Sequence, residues 1–187
     1  EGVDAKRIFV LGHSLGGMLI PRIGALDANI AGLIVLAGGT RPLEDIILEQ
    51  TIYLVSVSPG GNTSEEGKKK IEEARELKTA VRKLTPIDMP SSSLIFGAPA
   101  SYWLDLRGYD PPGVAKKLQQ PMLIMQGERD YQATMVDFER WKSALSARDD
   151  MTFKSYPALN HLFMPRSGKS VPAEYMIPGN IAEPVIA

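Results

Sequence analysis

An apolar, β-rich run, Arg-Ile-Phe-Val-Leu-Gly at residues 7–12, feeds without a break into Gly12-His13-Ser14-Leu15-Gly16-Gly17. Nearly continuous apolar character over so short a stretch predicts a strand buried on both faces. The small and apolar residues at 15–26 predict a helix directly after it. A serine held between glycines at a strand-to-helix junction calls for a strained, tight turn, in which side chains at positions 12 and 16 are expected to collide with neighbouring backbone. The strand then acts as a pedestal that presents Ser14.

The same rhythm recurs downstream. Residues 30–39 (Ile-Ala-Gly-Leu-Ile-Val-Leu-Ala-Gly-Gly), 121–127 (Pro-Met-Leu-Ile-Met-Gln-Gly) and 151–158 (Met-Thr-Phe-Lys-Ser-Tyr-Pro-Ala) read as three further strands. Between the last two lies 135–147, where Val136, Phe138, Trp141 and Leu145 form one helical face. Strands alternating with helices predict an α/β class with a parallel sheet. The interval 40–118 breaks the pattern. Residues 42–57 look helical, Thr63 and Glu66 have the spacing of a capping box, and Ile71, Ala74, Leu77, Val81 and Leu84 recur at helical spacing beside a solvated face of lysines and glutamates. Residues 85–112 read as loop with short helices. The division is therefore 1–39 for the first part of the core, 40–118 for a helical insertion, 119–165 for the rest of the core, and 166–187 for a proline-rich tail that wraps the surface or is partly disordered.

Composition narrows the function. The 187 residues carry 21 basic and 22 acidic side chains with no charged tail, so nothing points to nucleic acid or an anionic membrane. No run approaches the roughly 20 apolar residues of a membrane span. The chain has no cysteine, which excludes disulfides and thiolate metal sites, and its two histidines leave little for a histidine metal site. Residues 58–70 lack the Gly-Lys-Ser/Thr signature of a phosphate loop. The chain opens without methionine, and nothing in it assigns a compartment.

A bare Gly-x-Ser-x-Gly is a weak signal, which the strand before it and the helix after it make strong. The helix N-terminus there supplies free N–H groups and a positive dipole end for a developing oxyanion. A serine hydroxyl needs a base. His13 sits inside the turn, with its side chain expected to point away from Ser14, and reads as structural. His161, after the fourth strand in Tyr-Pro-Ala-Leu-Asn-His-Leu-Phe-Met, reads alone as a satisfied core histidine; it is promoted because it stands where a base is needed and nothing else can serve. The third member should be a carboxylate on a loop after a strand. Glu128 and Asp130 both follow the third strand; Asp130, further into the loop, is preferred, with Glu128 holding the turn. Its role is to fix the imidazole tautomer and stabilise the imidazolium.

The order Ser, Asp, His, each at the carboxyl end of a successive strand, resembles the α/β-hydrolase superfamily. The pieces GHSLGG, PMLIMQGERDYQ and LNHLF are similar to its bacterial esterase, dienelactone-hydrolase-like and serine-aminopeptidase-like branches, and residues 100–132 resemble bacterial hydrolases of that group. The resemblance covers residues 1–165. It implies an α/β-hydrolase-type parallel sheet with four strands here, helices on both faces and a helical cap. It also implies Ser14 as nucleophile, Asp130 as acid, His161 as base and the Leu15 backbone N–H as one oxyanion donor. The activity implied is cleavage of small-molecule carboxylic esters through an acyl-enzyme, with no metal or organic cofactor. Peptidase, thioesterase or acyltransferase action on the same fold is the alternative, as is a non-catalytic fragment that requires a partner chain. Tyr102, Trp103, Leu104 and Tyr109 fall in the cap, where they line an apolar acyl pocket or anchor the cap. Arg107 reads as a substrate-anion contact or, with more weight, as an ion-pair partner of Asp105 or Asp110.

This chain departs from the superfamily in one respect. The strands that members carry before the nucleophile strand have no counterpart ahead of residue 7, and the loop that supplies the second oxyanion N–H goes with them. Losing one such donor costs on the order of 10²–10³ in rate. Residues 7–12 become an apolar edge, which is expected to pair with a second copy of the chain, as a homo-oligomer, or with a missing N-terminal segment.

Overall fold

The computed structural model describes residues 2–88 and 93–186. In chain order the elements are β1 (Phe9–His13), α1 (Leu15–Leu26), β2 (Gly32–Leu36), α2 (Leu43–Val57), α3 (Glu65–Lys83), β3 (Leu94–Ile95), β4 (Ala98–Pro99), α4 (Ala100–Leu106), α5 (Pro111–Ala115), β5 (Met122–Gly127), α6 (Met135–Leu145), β6 (Met151–Tyr156) and α7 (Glu183–Ile186). They fall into two compact units, Glu1–Thr40 with Asp110–Ala187, and Arg41–Tyr109.

The first unit is built on a four-stranded sheet of order β1-β2-β5-β6, with every neighbouring pair parallel. Strand period explains its two cores. Leu33, Val35, Met122 and Ile124 face one way, into a cluster with Ile20 of α1, Ala115 of α5, and Phe138, Trp141 and Leu145 of α6. Their neighbours Leu36 and Met125 face the other way, with Ala133, Leu159 and Phe163, where Ala182 and Val185 close the cluster. Three helices therefore cover one face, and the chain after β6 with short α7 covers the other. Burial on both faces is why β2 and β5 carry almost no polar residues.

The helical face expected of α6 is corrected at one position. Phe138, Trp141 and Leu145 are buried, but Val136 is 52% exposed and Asp137 takes its place inside. The cause is polar: Asp137 Oδ1 accepts hydrogen bonds from the Thr40 backbone N–H at 2.9 Å and the Thr40 hydroxyl at 2.8 Å. Two bonds offset the cost of burying a carboxylate, and a hydrophobic pattern cannot register them. Strand β1 pairs only with β2 among the described residues, and Phe9 and Leu11 remain 57% and 56% exposed. The proline-rich tail is ordered against this unit. Its Glu174 is buried, and the Ala182 N–H donates to the Phe163 carbonyl at 3.0 Å.

In the second unit α2 and α3 pack along each other, with Asp45 paired to Lys78 and Arg82. The capping box expected from Thr63 and Glu66 does not form. The cap is Ser64, whose hydroxyl accepts from the Gly67 N–H at 3.0 Å, while the Thr63 hydroxyl donates to the Gly60 carbonyl. On the exposed face of α3, Lys68 pairs with Glu65 and Lys70 with Glu66. The Arg107 guanidinium donates to the Leu84 and Val81 carbonyls at 2.8 and 2.9 Å, at the C-terminal end of α3, where a cation is favoured. β3 and β4 form a two-residue antiparallel hairpin inside the stretch read as loop; residues 89–92 of that stretch lie outside the described residues. No helix among the described residues is long and apolar enough to cross a membrane.

Candidate active site

Ser14 stands alone between the end of β1 and the start of α1. Its φ of 57° and ψ of −118° lie in a region that costs a side-chain-bearing residue on the order of 1–3 kcal/mol. Backbone bonds impose it: the Ser14 N–H donates to the Leu36 carbonyl at 2.9 Å, and the Ser14 carbonyl accepts from the Met18 N–H at 3.0 Å. The turn is tight enough that a Cβ at Gly12 would sit 2.3 Å from the Gly16 carbonyl oxygen. The expectation for Gly16 is corrected, since a Cβ there would meet nothing within 4 Å. The crowded partner is instead Gly17, whose Cβ would come within 3.0 Å of the Gly38 Cα and the Leu36 oxygen. Leu15 opens α1, so its N–H belongs to the first-turn donors that helix geometry leaves unpaired.

Asp130 and His161 come together at the carboxyl ends of β5 and β6. Both are buried, and His161 Nδ1 lies 2.7 Å from Asp130 Oδ2. The carboxylate is held on every side. Oδ2 also accepts from Gln126 Nε2 at 3.2 Å, and Oδ1 accepts from the backbone N–H groups of Gln132 and Ala133 at 2.7 and 3.2 Å. Glu128, the other carboxylate of that loop, is exposed and accepts from the Ser155 hydroxyl at 2.8 Å. The loop after β6 is shaped by fully buried Asn160, whose Oδ1 accepts the N–H groups of Leu162 and Met164. It passes so close to β5 that a Cβ at Gly127 would lie 2.5 Å from the Leu159 oxygen. Gln126 and Asn160 escaped the sequence reading. A glutamine closing an apolar strand and an asparagine directly before the candidate base are the signals that could have found them.

A parallel sheet that ends β1 in a strained serine turn and carries a paired aspartate and histidine on the loops after β5 and β6 decides the architecture. The fold is of α/β-hydrolase type. No family model matches the chain. The α/β-hydrolase fold here is accompanied by 39% identity over 186 residues to Esterase EstD of Thermotoga maritima, an alignment that takes in all of this chain and 42% of that protein. The chain thus spans less than half the length of the curated relative it matches. Among solved structures it is similar to the Pyrococcus horikoshii acylaminoacyl peptidase, at 15% identity, TM-score 0.48, 85% of this chain and 20% of that one. It is likewise similar to a putative dienelactone hydrolase from Klebsiella pneumoniae, at 16% identity, TM-score 0.47, 87% of this chain and 44% of that one.

His13 connects Ser14 to the histidine loop. Its Nε2 donates to the His161 backbone carbonyl at 2.8 Å, and the two imidazole centroids are 4.6 Å apart. Burial holds the His13 pKa below its ordinary 6.5, helped by the His161 ring; the bond to the His161 carbonyl and the Asp130 charge oppose it. The unfolded chain therefore takes up this proton first as pH falls. The stabilisation from His13 is complete above 6.5 and is lost as pH drops through the folded pKa. His13→Gln is expected to flatten this slope: between about pH 8 and pH 5.5 its melting temperature should fall less than that of the parent chain. Parallel curves for the two proteins would refute that assignment.

Tyr102, Trp103 and Leu104 belong to α4 of the second unit. Trp103 is buried there, its indole N–H donating to the Ile95 and Ala98 carbonyls at 2.9 and 3.3 Å, and the Tyr102 ring meets it edge-on.

Proposed function

We propose that this chain carries the catalytic triad of a serine hydrolase that cleaves carboxylic esters through an acyl-enzyme. The observation that supports it most is the 2.7 Å Asp130–His161 pair at the end of the sheet that also carries the strained Ser14 turn. With Nδ1 committed to Asp130, the ring nitrogen left for proton transfer is Nε2. Ser14 Oγ attacks the acyl carbonyl and gives its proton to His161 Nε2, and the imidazolium is stabilised by Asp130. The developing oxyanion sits at the start of α1, with the Leu15 N–H as donor. His161 then protonates the departing alcohol, the C–O bond breaks, and water, deprotonated by the same nitrogen, releases the acid. No step calls for a metal or an organic cofactor. The name of the Thermotoga maritima relative, an esterase, favours esters over the amides and thioesters that the same acyl-enzyme serves.

Tyr102, Trp103 and Leu104 are proposed to line the acyl pocket. The deciding experiment compares p-nitrophenyl acetate, butyrate and octanoate with matched thioester and aminoacyl-amide substrates. Faster turnover of the esters supports the reading; preference for an amide or thioester moves the chain to another acyl-transfer class.

We also propose that the β1 edge is paired in the working protein, by a second copy of the chain or by an N-terminal segment of a longer one. The exposed Phe9 and Leu11 on a strand that pairs along one edge alone among the described residues support this, because a bare apolar edge invites association. Sedimentation or light scattering of the 187-residue chain is expected to show a multimer that Leu11→Lys disperses. A soluble monomer with the edge bare would refute it.

A further inference from the structure

The C-terminal segment contains a buried carboxylate that the mechanism does not use. Glu174 lies in a single turn, Pro172–Met176, and is 7% exposed. Its Oε1 accepts from Arg129 Nη2 at 2.5 Å, and its Oε2 accepts from Arg129 Nη1 at 3.3 Å, Asn160 Nδ2 at 3.1 Å and the Ser170 hydroxyl at 3.4 Å. Arg129 is the residue before Asp130, and Asn160 is the residue before His161.

We propose that Glu174 is a positioning residue for the acid–base pair: one carboxylate fastens the loop of Asp130 to the loop of His161 through Arg129 and Asn160. The inference rests on reading Asp130 and His161 as acid and base. Among the described residues, two backbone bonds tie the chain after β5 to that at the end of β6, from the Glu128 N–H to the Tyr156 carbonyl and from the Arg129 N–H to the Leu159 carbonyl, each at 3.0 Å, and neither involves the backbone of Asp130 or His161. A short Nδ1–Oδ2 contact requires both loops to hold their relative places to within a fraction of an ångström. Glu174 supplies that constraint on the neighbours of both reacting side chains. Arg129 is fixed in turn by the Ser167 and Gly168 carbonyls at 3.1 and 3.0 Å, so the brace is continuous with the tail. Burial acts to raise the Glu174 pKa, but the bonds from Arg129 and Asn160 and the Arg129 charge outweigh it and hold the carboxyl below its usual range. The carboxylate thus stays charged where a charged acceptor is needed.

Glu174→Ala and Glu174→Gln test this at a temperature below the melting point of every variant. One readout is kcat and KM for p-nitrophenyl butyrate; the other is the imaging of the His161 tautomer through its imidazole ¹⁵N shifts, which only two histidines make simple to assign. Glu174→Ala is expected to lower kcat about 10- to 100-fold with KM nearly unchanged, and to shift the His161 Nδ1 resonance. Glu174→Gln, which keeps an acceptor for Asn160 but loses the charge facing Arg129, should fall between. Ile30→Val, a truncation in the helix-covered core, should lower the melting temperature and move neither readout. A Glu174→Ala protein with parental kcat and an unshifted His161 resonance would overturn the proposal. Should the chain prove inert toward every acyl substrate, the triad reading fails by itself, and the ¹⁵N shifts alone decide whether Glu174 sets the pair.

Discussion

Replacement of Ser14 by alanine is expected to reduce kcat for an ester substrate by about 10⁴- to 10⁶-fold, with little change in melting temperature. The two parts of that expectation have separate physical grounds. Oγ is the atom proposed to attack, so its loss leaves only binding and the helix N-terminus to assist attack by water. The turn, by contrast, is held by backbone groups, through the bonds from the Ser14 N–H to Leu36 and from the Met18 N–H to Ser14, and an alanine keeps both. Alanine also carries the same strain as serine at a φ of 57°. A fluorophosphonate probe should add its mass to the peptide containing Ser14 in the parent chain and to no peptide in the variant. Equal rates in the two proteins would mean that the observed hydrolysis does not pass through this serine.

What could be read from the sequence follows from which forces leave local marks. Strands buried on both faces show as apolar runs, so β2 and β5 were legible; the run at 7–12 also marked β1, but Phe9 and Leu11 are exposed there, so the burial expected on both of its faces is corrected, and the helix after Ser14 begins and ends where its small and apolar residues do. The pairing of Asp130 with His161 was legible because the chemistry needs a base and a carboxylate and the chain has few candidates. Long-range polar contacts leave no such mark. Asp137 displaced Val136 from the core because Thr40, far away in sequence, offers two donors. The bonds from Arg107 to the carbonyls at the end of α3, more than twenty residues back, are of the same kind. The proline-rich tail read as wrapping the surface or partly disordered, and the contacts that decide between the two, from Arg129 and Asn160 to Glu174, leave no local mark. Gly16 looked as necessary as Gly12, yet only the three-dimensional path of the turn separates them.

Asp130→Asn is expected to cost about 10⁴-fold in kcat while leaving the protein close to its parental stability. All four partners of this carboxylate are donors: His161 Nδ1, Gln126 Nε2 and the N–H groups of Gln132 and Ala133. An asparagine must therefore turn its NH₂ toward one side. Facing Gln132 and Ala133, it would strand two backbone donors that cannot change, at about 1–3 kcal/mol for each buried group left unpaired. Facing His161, it meets a ring that can shift its proton, and Gln126 keeps the Gly127 and Ala133 carbonyls as acceptors. The second orientation wins. It leaves Nδ1 as an acceptor and moves the proton to Nε2, the nitrogen that must receive the proton of Ser14, so the loss falls on catalysis rather than on folding. Imidazole ¹⁵N shifts should report the exchanged tautomer directly. Glu128→Gln, on the same loop but exposed and bonded to Ser155, should leave kcat nearly unchanged. An Asp130→Asn protein within about tenfold of the parent, or a Glu128→Gln protein with the larger loss, would reassign the acid.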